Sequence, residues 1–248
     1  MPKFDMGAAW EDSMLLLRSH SALTGAIAAV FLFLPTLAVS WFGPVPIEPA
    51  AGASFDQVMA TMRANVIQAV PYQLFVAIVS GIGGIGILRL WLSRSGISVG
   101  EALVFALTMV PTVIVIQLLC GLIVGVGFVL LIVPGLYLWA RLAIVAPVVA
   151  DQSERNPLAA IRQGWTLTKG NGWRIFLFMF LVTLVILVIA VILAGVTAAV
   201  LGTDEGIARM LTGLVEGAVA AISGMVTLAI AAATYRQLAV RAASDIFS

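Results

Sequence analysis

Long apolar runs alternate with short polar stretches along this chain. The runs cover about residues 21–41, 70–92, 111–133, 135–150, 173–201 and 207–238. Roughly 20 apolar residues cross the hydrocarbon of a bilayer as helix, so the pattern predicts an all-α integral membrane protein with six transmembrane helices. The short fourth run follows the third through Pro134-Gly135, a tight-turn signal, and the two read as one hairpin. Asp5, Glu11 and Asp12 precede the first run, which is too long for a cleaved leader and reads as a span. A single polytopic membrane domain over residues 1–248 is expected.

The stretches between spans have helical periodicity of their own. Trp10, Met14 and Leu17 recur at i, i+4, i+7, with Glu11, Asp12 and Arg18 off that face. Leu158, Ile161 and Trp165 recur at i, i+3, i+7, with Arg162, Gln163 and Lys169 turned away. Asn156 reads as the N-cap of that second helix, Pro157 as its first residue and Gly170 as its stop. Ser98-Val99-Gly100-Glu101 is a capping box that opens the helix leading into the third span. The order reads as three units, each a cytoplasmic amphipathic helix followed by an in–out–in hairpin. Unequal spacing makes repeat ancestry a weak inference. Such helices lie at the headgroup level, with Trp10, Trp165, Trp173, Lys169 and Arg174 as interfacial anchors. They serve as elbows that orient the next span, or as lipid- or partner-recruiting surfaces. A dedicated anionic-lipid site usually clusters about four to eight basic residues, and here the basic residues are spread out.

Composition agrees with a lipid solvent. The chain is 62% hydrophobic and 10% charged, with a mean hydropathy of +1.12; soluble domains carry about 25% charged residues. A net charge of +1 argues against nucleic acid, which needs a basic face. The charges fall unevenly. Lys3, Arg18, Arg89, Arg94, Arg155, Arg162, Lys169, Arg174, Arg236 and Arg241 lie on one side of the predicted spans. Arg63 and Arg209 lie on the other, with Glu48, Asp56, Asp204 and Glu205. The asymmetry puts both termini in the cytoplasm.

Ionisable residues inside spans are functional candidates, because burying them unpaired costs several kcal/mol. Arg141 lies about six residues from the outer end of the fourth run, and Glu216 about nine from the outer end of the sixth. Similar depth suggests that they face each other or share a polar cavity, with Gln68, Tyr72, Gln73 and Gln117 as further lining. The alternative is a structural ion pair, or an arginine that snorkels outward on a tilted short helix. Pro35, Pro71 and Pro111 are candidate kinks, and one at Pro71 would open a pocket beside Tyr72 and Gln73.

Gly81-Ile82-Gly83-Gly84-Ile85-Gly86 matches the dinucleotide fingerprint but has no preceding strand, so it reads as helix packing. Ala77/Gly81, Ser80/Gly84, Gly121/Gly125 and Gly213/Gly217 share that small-residue spacing. No catalytic constellation is present. His20 is the only histidine and sits at an interface, while Cys120 is the only cysteine and reads as a small apolar filler. Asp204 and Glu205 read as solvated loop carboxylates. No cofactor and no metal site are expected.

Several segments together resemble a family signature: Pro134-Gly135-x-Tyr137-x-x-x-Arg141, Pro147-Val148-Val149, Ala160-Ile161-x-x-Gly164-Trp165-x-Leu167-Thr168-Lys169-Gly170 and Trp173-Arg174. They are similar to bacterial and archaeal proteins related to the membrane domain of glycerophosphoryl diester phosphodiesterases, a grouping that includes the YciC-like inner-membrane proteins. The likeness is strongest over residues 98–176. Gly164 stands where a serine is common, and the acid often found after the PVV segment appears as Asp151 and Glu154. The resemblance implies a six-span protein of the bacterial inner membrane. Phosphodiester hydrolysis in such enzymes belongs to a separate soluble barrel for which these residues leave no room, so no catalysis is expected. The reading is a non-catalytic component that interacts with lipid or a membrane protein partner, a second copy included, in envelope organisation. The alternatives are a small-solute or amphiphile carrier with Arg141 and Glu216 near its path, and a lipid-modifying enzyme.

Overall fold

A computed structural model describes residues 3–19, 21–93, 96–201 and 206–244. His20, Arg94, Asp204 and Glu205 lie outside these, and of Arg241 only the backbone is described. The protein is 86% helical, with no strand among the described residues. Its helices are α1 (Met6–Arg18), α2 (Ser21–Ala28), α3 (Leu34–Phe42), α4 (Phe55–Leu92), α5 (Val99–Thr108), α6 (Val110–Leu130), α7 (Ile132–Leu142), α8 (Val145–Gln152), α9 (Pro157–Leu167), α10 (Gly172–Leu201) and α11 (Ile207–Ser244). Among the described residues, six are long and apolar enough to cross a membrane: Ser21–Phe42, Phe55–Leu92, Val110–Leu130, Ile132–Gln152, Gly172–Val200 and Ile207–Val240.

The caps follow the sequence closely. Asn156 accepts from the N–H groups of Leu158 and Ala159, and Ser98 and Glu101 form the reciprocal box. Two donors from Ser98, its backbone N–H first and then its hydroxyl, hold the Glu101 carboxyl below its ordinary pKa.

Two boundaries differ from the pattern. The second span begins at Phe55 rather than near residue 70, behind a Ser54–Gln57 capping box. Its 38 residues are about 57 Å long, well beyond the roughly 30 Å of hydrocarbon, so Asp56, Arg63 and Asn65 dilute its apolar signal without ending the helix. The turn between α6 and α7 is Leu131 alone, extended at φ −164° and ψ 152°. Pro134 and Gly135 lie in the first turn of α7 instead, where proline's missing N–H costs nothing. The role of Gly135 is close approach: a Cβ there would sit 2.8 Å from the backbone nitrogen of Phe128.

Pro35 explains a further irregularity. Lacking an N–H, it cannot bond the carbonyl of Phe31, and a π-helical turn, Ala29–Phe33, links α2 to α3 at that point. The Ser80 hydroxyl of α4 donates to the freed Phe31 oxygen at 3.1 Å. Pro71 sits inside continuous helix, and Pro111 is in the first turn of α6, so neither interrupts a span.

The ends of the bundle differ. At the end where both described chain ends lie, the terminal end, Asp5 N–H donates to Gln237 and Tyr235 to Asp151. The opposite, distal end holds Asn65, whose amide makes two hydrogen bonds with the backbone of Ile47. Burial concentrates at the terminal end. The buried residues of α4 all fall between Gly83 and Leu92. Those of α10 are Gly172, Ile175, Phe178 and Met179, with Val185, Ile189 and Val200 exposed further along. Small residues carry the helix contacts. α1 buries Ala9, Ser13 and Leu16, and α9 buries Ala160 and Gly164. The bulky Trp10, Leu158 and Trp165 of the apolar faces stay substantially exposed.

Gly81, Gly84, Gly213 and Gly217 each abut a neighbouring helix, whereas Gly121 and Gly125 have nothing within 4 Å of a Cβ position, which removes that pair from the packing motif. Gly135→Val is therefore expected to destabilise the hairpin by about 1–3 kcal/mol, and Gly121→Ala to leave stability unchanged or slightly raised, as thermal unfolding in detergent would measure. Glu101 supplies a pH test. Its lowered folded pKa means that the box contributes fully above the unfolded glutamate value and is lost as pH falls through the folded one. The melting points of wild type and Glu101→Ala should differ near neutrality and converge in acid.

Candidate functional site

Arg141 is only 7% exposed, and its charge is met within the neighbouring turn of the chain. After α8, helix α9 folds back against both α8 and α7, with Gly164 close enough that a Cβ would lie 3.1 Å from Val145 Cγ2 of α8. That return carries Trp165 and Thr168 to the arginine. Its Nε donates to Thr168 Oγ1 at 2.9 Å and its Nη2 to the Trp165 carbonyl at 2.7 Å. The guanidinium carbon stands 3.6 Å from the Trp165 ring centroid and 5.8 Å from that of Tyr137. Trp173 packs on Tyr137 with centroids 5.0 Å apart, and Arg174 donates to the Phe4 carbonyl. Lys169 is exposed on the same turn. Arg141 thus belongs to the level of this basic, aromatic turn, near the terminal end.

Glu216 is elsewhere, and the two do not form a pair. It lines a groove of about 590 Å³ between the distal halves of α10 and α11, together with Arg209, Thr197 and Thr212. The rest of the wall is small or apolar, including Ala190, Ala194 and Ala220. Glu216 is exposed and has no hydrogen-bond or ion-pair partner among the described residues. Arg209 sits two turns away on the same helix face, about 10 Å along the axis. Its Nε donates to Ser40 O and its Nη2 to Gly43 O, closing the C-terminal end of α3. Trp41 returns the contact by donating its indole N–H to Met210 O.

The remaining polar candidates do not converge. Gln117 donates to the Ala77 carbonyl at 3.0 Å and joins α6 to α4. Gln68, Tyr72 and Gln73 lie on exposed surface of α4, so Pro71 opens no pocket around them. Among the described residues no three His, Cys, Asp or Glu side chains come together to hold a metal.

A second polar grouping, which sequence reasoning missed, lies at the terminal end. Tyr235, 2% exposed, donates to Asp151 Oδ2 at 2.6 Å and accepts from Gln152 Nε2 at 3.3 Å. Arg89 donates to the carbonyls of Ala150 and Asp151, and Arg236 pairs with Asp12 at 3.0 Å. The only signal for it in the chain was an acid after the PVV segment. Its partner tyrosine lies more than eighty positions away, beyond any local pattern.

Arg141→Ala is expected to lower stability by about 2–4 kcal/mol, through loss of two charge-assisted hydrogen bonds and the stack on Trp165. Arg141→Lys should recover less than half of this, because an ammonium has neither the planar fork nor the stacking face. Denaturation of the three proteins in one detergent measures both, and a lysine variant as stable as wild type would remove stacking from the account.

Compared with family models, with curated proteins and with solved structures, the chain matches none.

Proposed function

We propose that this protein is a non-catalytic, lipid-binding component of a bacterial inner membrane, with both termini cytoplasmic and a part in membrane organisation. The observation that carries this reading is the groove between α10 and α11. Two adjacent helices form its walls, so it opens sideways into the bilayer and suits an acyl chain laid along Ala190, Ala194 and Ala220. Arg209 stands at its distal end, where a phosphate would lie, with Nη1 free of acceptors among the described residues. A shallower apolar groove of about 460 Å³ lies across α11, lined by Leu17, Phe33 and Met225 among others.

The packing of the terminal half favours this over a carrier. Ile87, Leu88, Val148, Val149 and Ile175 are fully or almost fully buried there, filling the middle of the bundle where a solute path would run. Arg141 is spent on Thr168 and Trp165, which supports an architectural rather than a transporting or catalytic role for it. The family resemblance and the cytoplasmic placement of the basic turn at Lys169 and Arg174 belong to the same proposal.

Native mass spectrometry from mild detergent tests it. Wild type should retain lipid, Ala194→Phe with Ala220→Phe should lose it by filling the groove, and Arg141→Ala should keep it while melting earlier. Identical lipid retention in the groove-filled variant would overturn the assignment.

A further inference from the structure

Glu216 stands in the α10–α11 groove without a counter-ion, and its neighbours give its depth. The adjacent Gly217 packs on Phe33, with a Cβ position 2.9 Å from Phe33 Cδ2. All of α3, 9 residues or about 13 Å of helix, separates Phe33 from the distal loop. Arg209 marks that distal end through its bonds to Ser40 and Gly43. The carboxylate therefore projects from well inside the span, where an ionised group is costly unless it is paired. No basic residue lies between Arg174 and Arg209 or between Arg209 and Arg236, so α10 and α11 bring no second cation to this level. Residues 202–205, outside the described set, add no basic side chain either. Thr212, one turn distal on the same face of α11, also lines the groove, and its hydroxyl has no partner among the described residues. Across the groove, Thr197 donates to Leu193 O and keeps its oxygen free to accept. The wall at this level thus offers acceptors: two carboxylate oxygens and two hydroxyl oxygens.

We infer that the groove holds an amphiphile with a primary ammonium group on an apolar chain, the ammonium bonded to Glu216 and Thr212. This rests on the groove reading above and names the class of molecule that the groove takes. Charge selects a cation, since a neutral chain laid on α11 would press against an uncompensated carboxylate. Hydrogen bonding then selects the kind of cation. A primary ammonium has three donors and meets a carboxylate through charge-assisted bonds, the stronger class. A quaternary ammonium has no donor and is recognised by aromatic faces, and the groove wall has no aromatic residue among the described residues. Arg209 repels a cation from the distal mouth, which leaves Glu216 as its place. The chain then runs along Ala190, Ala194 and Ala220, whose small side chains leave room for it.

The test uses full-length, lipid-depleted protein in mild detergent, titrated by native mass spectrometry with dodecylamine, dodecyltrimethylammonium and dodecanol, which share one chain. Wild type should bind dodecylamine about tenfold or more tightly than dodecanol, the weight of one charge-assisted hydrogen bond, and several-fold more tightly than dodecyltrimethylammonium. Glu216→Gln, of the same size and at a position without partners, should bring dodecylamine down to the affinity of dodecanol and leave the melting point unchanged. Thr212→Val should cut the preference for the primary amine over the quaternary one. Ala194→Phe with Ala220→Phe should lose all three probes. Equal binding of dodecylamine and dodecanol by wild type, with both lost on groove filling, overturns the amine class and leaves the groove reading standing. Tight amine binding that survives groove filling, or survives in Glu216→Gln, puts the amine elsewhere and overturns the proposal. A wild-type dimer that dissociates in Glu216→Gln would mean that a second copy answers the carboxylate, and overturns it as well.

Discussion

A helix end leaves its last carbonyls without partners in the helix, and this protein meets several of them with arginine. Arg89 donates to Ala150 and Asp151 at the end of α8, and Arg141 to Trp165 near the end of α9. Arg209 donates to Ser40 and Gly43 at the end of α3, and Arg174 to Phe4 just ahead of α1. In three of these the guanidinium also sits at the negative pole of a helix. The cost of bringing a charge toward lipid is offset by groups that would otherwise be unsatisfied there themselves. Each of these bonds also joins two elements distant in the chain, so the same contacts that satisfy the backbone fix the order of the helices.

This explains which parts of the molecule the sequence disclosed. The spans were readable because length and apolarity are local, and the Ser98 and Asn156 caps because their chemistry lies within three residues. The partner of Arg141 was not readable. A search for opposite charge leads to Glu216, whereas the acceptors are a backbone carbonyl and a threonine hydroxyl, which no pattern of charged letters shows. Which residues of α1 and α9 turn toward the bundle was not readable for a related reason. In water the bulky apolar face turns inward, but against lipid the small residues do, because close backbone approach is what helices gain from each other there. Ala9, Ser13, Ala160 and Gly164 follow the second rule.

The two ends of the bundle therefore offer different chemistry to a bilayer. The terminal end is packed and ordered by hydrogen bonds between distant segments. The distal end separates its helices, exposing aliphatic surface and a groove with one arginine and one glutamate. A protein divided in this way holds its fold at one membrane face while presenting lipid-sized spaces at the other.

The spans also differ in reach. α10 has 30 residues and α6 has 21, roughly 45 Å against 31 Å along their axes. A bilayer cannot match both. The shorter hairpin is pinned near Arg141, so the mismatch falls on the distal lengths of α10 and α11, where few side chains are buried and tilting costs only fractions of a kcal/mol per Å. Membrane thickness then sets the angle between these two helices, and with it the width of the space they enclose.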